Sequence, residues 1–78
     1  MNESEKERLI LEKMLVEAES NITILLMKIE NLKRKLNGMV YNSFQMELVR
    51  RISLYESMVE DLHVQEAYAK ERLKELKP

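Results

Sequence analysis

One glycine constrains this chain more than any other residue. Among its 78 residues there is a single Gly, Gly38, and a single Pro, which is the last residue. Nothing else in the interior resists helix, and Ala, Glu, Lys, Leu and Arg supply 41 of the 78 positions. Such a composition is that of a long-helix or coiled-coil protein. Asn37-Gly38 sits at the centre of the chain, and Asn-Gly after a periodic run is a helix stop, because glycine takes a left-handed cap conformation without a Cβ clash.

The apolar periodicity breaks at the same place. Leu11, Leu15, Ala18, Ile22, Leu25, Ile29, Leu32 and Leu36 alternate steps of four and three, which is a heptad stripe. A second stripe runs through Tyr41, Gln45, Leu48, Ile52, Tyr55, Val59, Leu62, Glu66, Ala69, Leu73 and Leu76. The two are out of phase: extending the first would put Ser43, Arg50 and Ser53 in the seam. Both signals predict an all-α fold, an antiparallel two-helix hairpin in one domain over 1–78, with helix 1 about 4–37, a turn at 38–42 and helix 2 about 43–77. Ser4 with Glu7 offers a capping box at the front, and Asn42 and Ser43 offer N-cap oxygens for helix 2, with Gln45 three residues after Asn42 as a capping-box partner. The rival architecture is one continuous helix in a parallel coiled coil.

Folding at Gly38 makes positions that sum to about 80 face each other: Leu36 with Phe44, Leu32 with Leu48, Ile29 with Ile52, Leu25 with Tyr55, Ile22 with Val59, Ala18 with Leu62 and Leu11 with Ala69. Each helix would be about 50 Å long at 1.5 Å per residue. Glu30–Arg34, Glu47–Arg51 and Glu66–Lys70 are i,i+4 pairs in the favourable order, each contributing roughly 0.2–0.5 kcal/mol. Gln45 and Glu66, polar residues in the seam, read as devices that set register, since a buried polar group penalises wrong pairings.

A hairpin buries one stripe per helix, and this chain has more apolar surface than that. Ile10, Met14 and Ile24 flank one side of the first seam, Leu26 flanks the other, and Leu9, Val16 and Met27 point away. The stretch Ile22 to Ile29 is apolar on nearly every side, which argues burial all round. On helix 2, Leu54 and Met58 flank the seam, with Met46, Val49, Val64 and Tyr68 on the far face. Scattered surface hydrophobes are the plain alternative. The sharper expectation is a second contact surface, with Met14, Ile24, Met27, Met46, Val49 and Tyr68 as candidate protein-binding residues. It would close a homodimeric four-helix bundle or receive another protein's helix, and methionine suits such a surface because its unbranched thioether repacks readily.

Charge is unevenly placed although the formal net is −1. Residues 28–51 carry net +4, residues 1–27 net −3 and residues 52–78 net −2. The hairpin is therefore expected to have a basic tip and an acidic open end. Lys33, Arg34, Lys35, Arg50 and Arg51, with Tyr41 and Phe44 to stack on bases, make nucleic-acid binding the alternative function. Solvated helix faces are the plain alternative to both.

Several chemistries are excluded or left thin. Without cysteine there is no disulfide scaffold, thiolate metal site or thiol catalyst. One glycine excludes a glycine-rich phosphate loop. Glu60 and His63 stand at i, i+3 beside Glu56 and Asp61, the spacing of bundle metal sites, but a complete site would need a second copy; a solvated face is the expectation, with no cofactor, metal or small-molecule substrate. No apolar run reaches the roughly 18 residues of a membrane span, the N-terminus has no signal-peptide core, and a cytoplasmic location is the default.

The run Ile22 to Leu36 is similar to a segment of short bacterial division-associated coiled coils, over 15 residues and with coiled-coil character alone. The hairpin with Ile29-Glu30-Asn31-Leu32-Lys33-Arg34-Lys35-Leu36-Asn37-Gly38-Met39-Val40 also resembles the small sporulation-regulatory aspartyl-phosphate phosphatases, helical hairpins whose second helix carries Ser-Gln-Glu-Leu-Asp. Ile52-Ser53-Leu54-Tyr55-Glu56, the nearest alignment here, keeps only an acidic residue after a hydrophobic one. Neither resemblance is adopted, and the expected function is a non-enzymatic interaction module: a regulator, inhibitor, adaptor or scaffold component.

Overall fold

The computed structural model describes residues 2–38 and 43–76. Two helices account for nearly all of them: α1, Glu3–Asn37, and α2, Ser43–Glu75. They pack against each other along their length in a rod of 58 × 15 × 14 Å. Three contacts fix the antiparallel sense. Glu7 near the start of α1 meets Arg72 near the end of α2, Arg8 meets Leu76, and Lys33 near the end of α1 meets Glu56. Residues 39–42, which join the helices and include Tyr41 and the expected cap Asn42, lie outside the described residues.

The front of α1 begins one residue earlier than the spacing predicts, because Asn2 is the cap. Its side-chain oxygen accepts from the backbone N–H of Glu5 at 2.8 Å, satisfying one of the helix's orphan donors. The expected Ser4–Glu7 box is not used, as Ser4 is already inside the helix and Glu7 reaches across to α2. Glu3 and Glu5 in the first turn and Arg34 and Lys35 in the last complement the helix dipole.

Gly38 closes α1 without the left-handed conformation expected of it. Its φ is −91° and ψ 2°, and its N–H donates to the Lys35 carbonyl at 3.2 Å. Any residue adopts that backbone, and a Cβ there would lie 3.8 Å from the Lys35 oxygen, an ordinary contact. Gly38→Ala is therefore expected to raise stability by about 0.4–1 kcal/mol, by restricting the unfolded chain. A urea midpoint that falls instead would show that the turn needs glycine.

Among the described residues the core is the pair of heptad stripes. Leu11, Ala18, Ile22, Leu25, Ile29 and Leu32 of α1 are buried against Leu48, Ile52, Val59 and Ala69 of α2. Leu36, Tyr55 and Leu62 pack on this core half-buried. No polar or charged residue is fully buried among the described residues. Two expectations fail at the edges of the stripes. Phe44 does not cap the last layer opposite Leu36: it is 54% exposed, and Gln45, the stripe position beside it, turns inward. Nor is Ile22 to Ile29 covered on all sides, since Ile24, Leu26 and Met27 are exposed. One partner helix covers a single stripe, however apolar the other faces are.

The open end of the rod is clasped. The Arg72 guanidinium donates to both carboxylate oxygens of Glu7, at 2.7 and 3.2 Å, and to Glu75 at 2.8 Å. Beside it, Arg8 donates to the Leu76 carbonyl at 2.9 Å, answering an orphan acceptor at the end of α2. Hydrogen bonds from Arg72, together with its charge, hold the Glu7 carboxyl below its ordinary value of 4.5, and Glu7 and Glu75 raise Arg72. Because the folded value of Glu7 is the lower one, the clasp contributes stability above about pH 4.5 and loses it as pH falls through the depressed value. Wild type and Arg72→Met should accordingly differ in urea midpoint at neutral pH and converge in acid. A difference that persists in acid would assign the effect to packing of the Arg72 stem.

Candidate functional site

Helix geometry sorts the exposed apolar side chains. Residues one position before a seam residue, on either helix, fall on the same side of an antiparallel pair; residues one position after fall on the other. On the first side lies a shallow groove between the helices. Ile24 of α1 and Met58 of α2 form its rims, 46% and 42% exposed, with the edges of Leu25 and Leu62 at its floor. Asn21, Lys28, Asp61 and Gln65 border it. Towards the open end the same side carries a second depression, where Ile10 and Met14 of α1 stand beside Tyr68 of α2.

Three of the six candidate protein-binding residues therefore share one face: Met14, Ile24 and Tyr68. The expectation that Tyr68 lies on the far face of α2 is corrected, because residue 68 precedes the seam residue Ala69 and so sits on the groove side, in the depression with Met14. Met46 and Val49 follow seam positions Gln45 and Leu48 and are exposed on the opposite side of the rod, the side to which Leu26 also belongs. Met27 is on the back of α1, in a depression with Glu30, Asn31 and Arg34. The six do not make one surface. Ile10 and Met58, which the candidate list omits, belong to the groove side; their positions one before Leu11 and Val59 would have placed them there.

The basic cluster at the tip is partly answered within the chain. Lys33 Nζ lies 3.7 Å from Glu56, Arg34 Nη2 2.7 Å from Glu30, and Arg50 and Arg51 each 3.9 Å from Glu47. Four of the five candidate nucleic-acid residues thus sit within 4 Å of a carboxylate. All of these pairs are solvent-exposed, where an ion pair contributes about 0–1 kcal/mol. Lys28 stands 6.0 Å from the centroid of the Tyr55 ring, at the outer limit of a cation–π contact.

The acidic cluster on α2 disperses. Glu56 turns to Lys33, Asp61 borders the groove, and His63 Nδ1 lies 3.5 Å from Glu66. Glu66 meets His63 rather than the expected Lys70, and as a half-buried residue it reaches the edge of the seam. Among the described residues no group of three or more His, Asp or Glu is placed to hold a metal ion, and no helix is long and apolar enough to cross a membrane.

The fold and its surface define a helical hairpin with an apolar groove along one face. No family model, curated protein or solved structure matches the chain.

Proposed function

We propose that this chain is a small non-catalytic interaction module that works by packing helix on helix. It dimerises into a four-helix bundle and offers its remaining apolar side chains to another protein. The observation that carries this reading is the groove between α1 and α2, an apolar strip left open on a rod whose internal core is already complete. Burial of such a strip supplies affinity, and the uneven charge along the rod supplies orientation.

Small size supports the same conclusion. A core in a chain this short rarely supplies more than about 3–5 kcal/mol, and association is a usual way to add to it. Sedimentation equilibrium is the test. The expected result is a mass above the 9.3 kDa of one chain; a stable, helical species that stays monomeric at every concentration overturns the bundle.

The alternative reading, nucleic-acid contact through Lys33, Arg34, Lys35, Arg50 and Arg51, draws on the clustering of those residues near one end. Their carboxylate neighbours weaken the local field, so any shift of a nucleic-acid probe is expected only at low salt. Binding that survives high salt and is lost on replacing Arg50 and Arg51 with Glu would favour that reading instead.

A further inference from the structure

The geometry points to the occupant of the groove and to its direction: a second copy of this chain, laid antiparallel with its own Ile24–Met58 groove face to face, its tip over the acidic open end of the first. This rests on the interaction-module reading above and goes further by naming the face, the partner and the orientation.

Three observations carry it. First, the groove lies at the middle of the rod. Asn21 and Met58, which line it, stand next to the midpoints of α1 and α2. A two-fold axis through that point brings the two Ile24–Met58 pairs together and overlaps the rods over their whole length. A self-complementary patch of this kind is what a two-fold dimer requires. In outline the face measures 58 Å by 15 Å, so copies overlapped along their length have room for the ~800 Å² that each partner brings to a standard stable interface. A crossed or end-to-end contact would bury far less.

Second, the ends are of opposite charge. Residues 28–51 carry net +4, while the segments that meet at the open end carry net −3 and −2. Antiparallel copies place each basic tip over the other's acidic end; parallel copies stack tip on tip. Lys35 brings a positive charge to the tip on the groove side; Glu3, Lys6 and Glu7 border the depression at the open end, where Glu7 is held by Arg72 and Glu3 supplies the open negative charge.

Third, the opposite face disfavours a copy of itself. Its middle carries Glu19, Glu30, Glu56 and Glu60, with Glu30 and Glu56 answered by Arg34 and Lys33. The groove face has Lys28 and Asp61, of opposite sign, flanking its apolar rims. Like charges brought together by a two-fold axis repel, and mixed charges do not.

The absence of cysteine makes single-cysteine mapping clean. Asn21→Cys on the groove side and Glu60→Cys on the opposite side, at the same level of the rod, are each treated with a short bis-maleimide linker. The Asn21→Cys chain should be captured as a covalent dimer and the Glu60→Cys chain should not. Lys35→Cys mixed with Lys6→Cys should give the mixed dimer by mass, with little Lys35–Lys35 product. Ile24→Asp, with helix content unchanged by circular dichroism, should shift the sedimentation mass from dimer to monomer. Dimers captured through Glu60→Cys overturn the face and leave the module reading standing. Lys35–Lys35 dimers overturn the orientation. Absence of any association at sedimentation equilibrium overturns both this inference and the bundle it rests on.

Discussion

Leu48→Ala is expected to cost about 2–5 kcal/mol, the largest effect of any single truncation in the chain. Leu48 is 2% exposed and is the largest fully buried side chain among the described residues, in the α2 stripe between Gln45 and Ile52. Removing its isopropyl group forfeits the transfer of the three lost carbons and leaves a cavity between the two helices. For a chain of this size the loss rivals the whole stability, about 3–5 kcal/mol, so the variant should be largely unfolded at room temperature. Val49→Ala, one residue along and 47% exposed, is the control, with an effect within about 0.5 kcal/mol. Urea titrations followed by far-ultraviolet circular dichroism at two protein concentrations make the comparison, because a midpoint coupled to association moves with concentration. Equal costs at the two sites would mean that the seam is not where the folding energy resides.

Ala69→Leu should destabilise by overfilling, by about 1–3 kcal/mol. Ala69 is 0% exposed and lies one turn from Arg72, at the level where Leu11 is buried one turn from Glu7. A leucine there has no space unless the helices part, and parting them pulls Glu7 from Arg72. The damage should be local. Hydrogen exchange should quicken first near residues 66–76, with the core around Leu48, Ile52 and Val59 keeping its protection. Uniform loss of protection would mean that the rod opens as one unit.

The helices and the core are legible in the sequence because both follow from a local rule. Heptad spacing determines which side of a helix turns inward, and the ten residues buried among those described all fall on the two stripes. Phase and punctuation agreed on the position of the turn. What was not legible depended on geometry across the rod. Phe44 looked like a better partner for Leu36 than Gln45 because hydrophobicity outweighed register in that one layer. Tyr68 reads as a far-face residue when α2 is taken alone, although its place before Ala69 fixes it beside Met14. The Glu7–Arg72 clasp joins residues 65 apart, and within α1 alone Glu7 read as part of a capping box. Gly38 was given a left-handed role by its identity, whereas its backbone is one that any residue adopts.

A seam whose fully buried layers are all apolar has a consequence for fidelity. Leucine, isoleucine and valine in successive layers are nearly interchangeable, and among the described residues no fully buried polar side chain marks one layer as different from the next, Gln45 and Glu66 being half-buried. Through the middle of the rod the interior alone would tolerate α2 sliding by a heptad along α1, but the Ala69 layer would not, since a slide brings Leu62 or Leu76 to a place without room for it. Alignment is therefore fixed at the two ends, by the short covalent connection on one side and by Ala69 with the arginine clasp on the other. Cut the connection and the two helices become strands of a zipper with several acceptable ways to mesh, so an intact hairpin should be uniquely aligned where its separated halves would be a mixture.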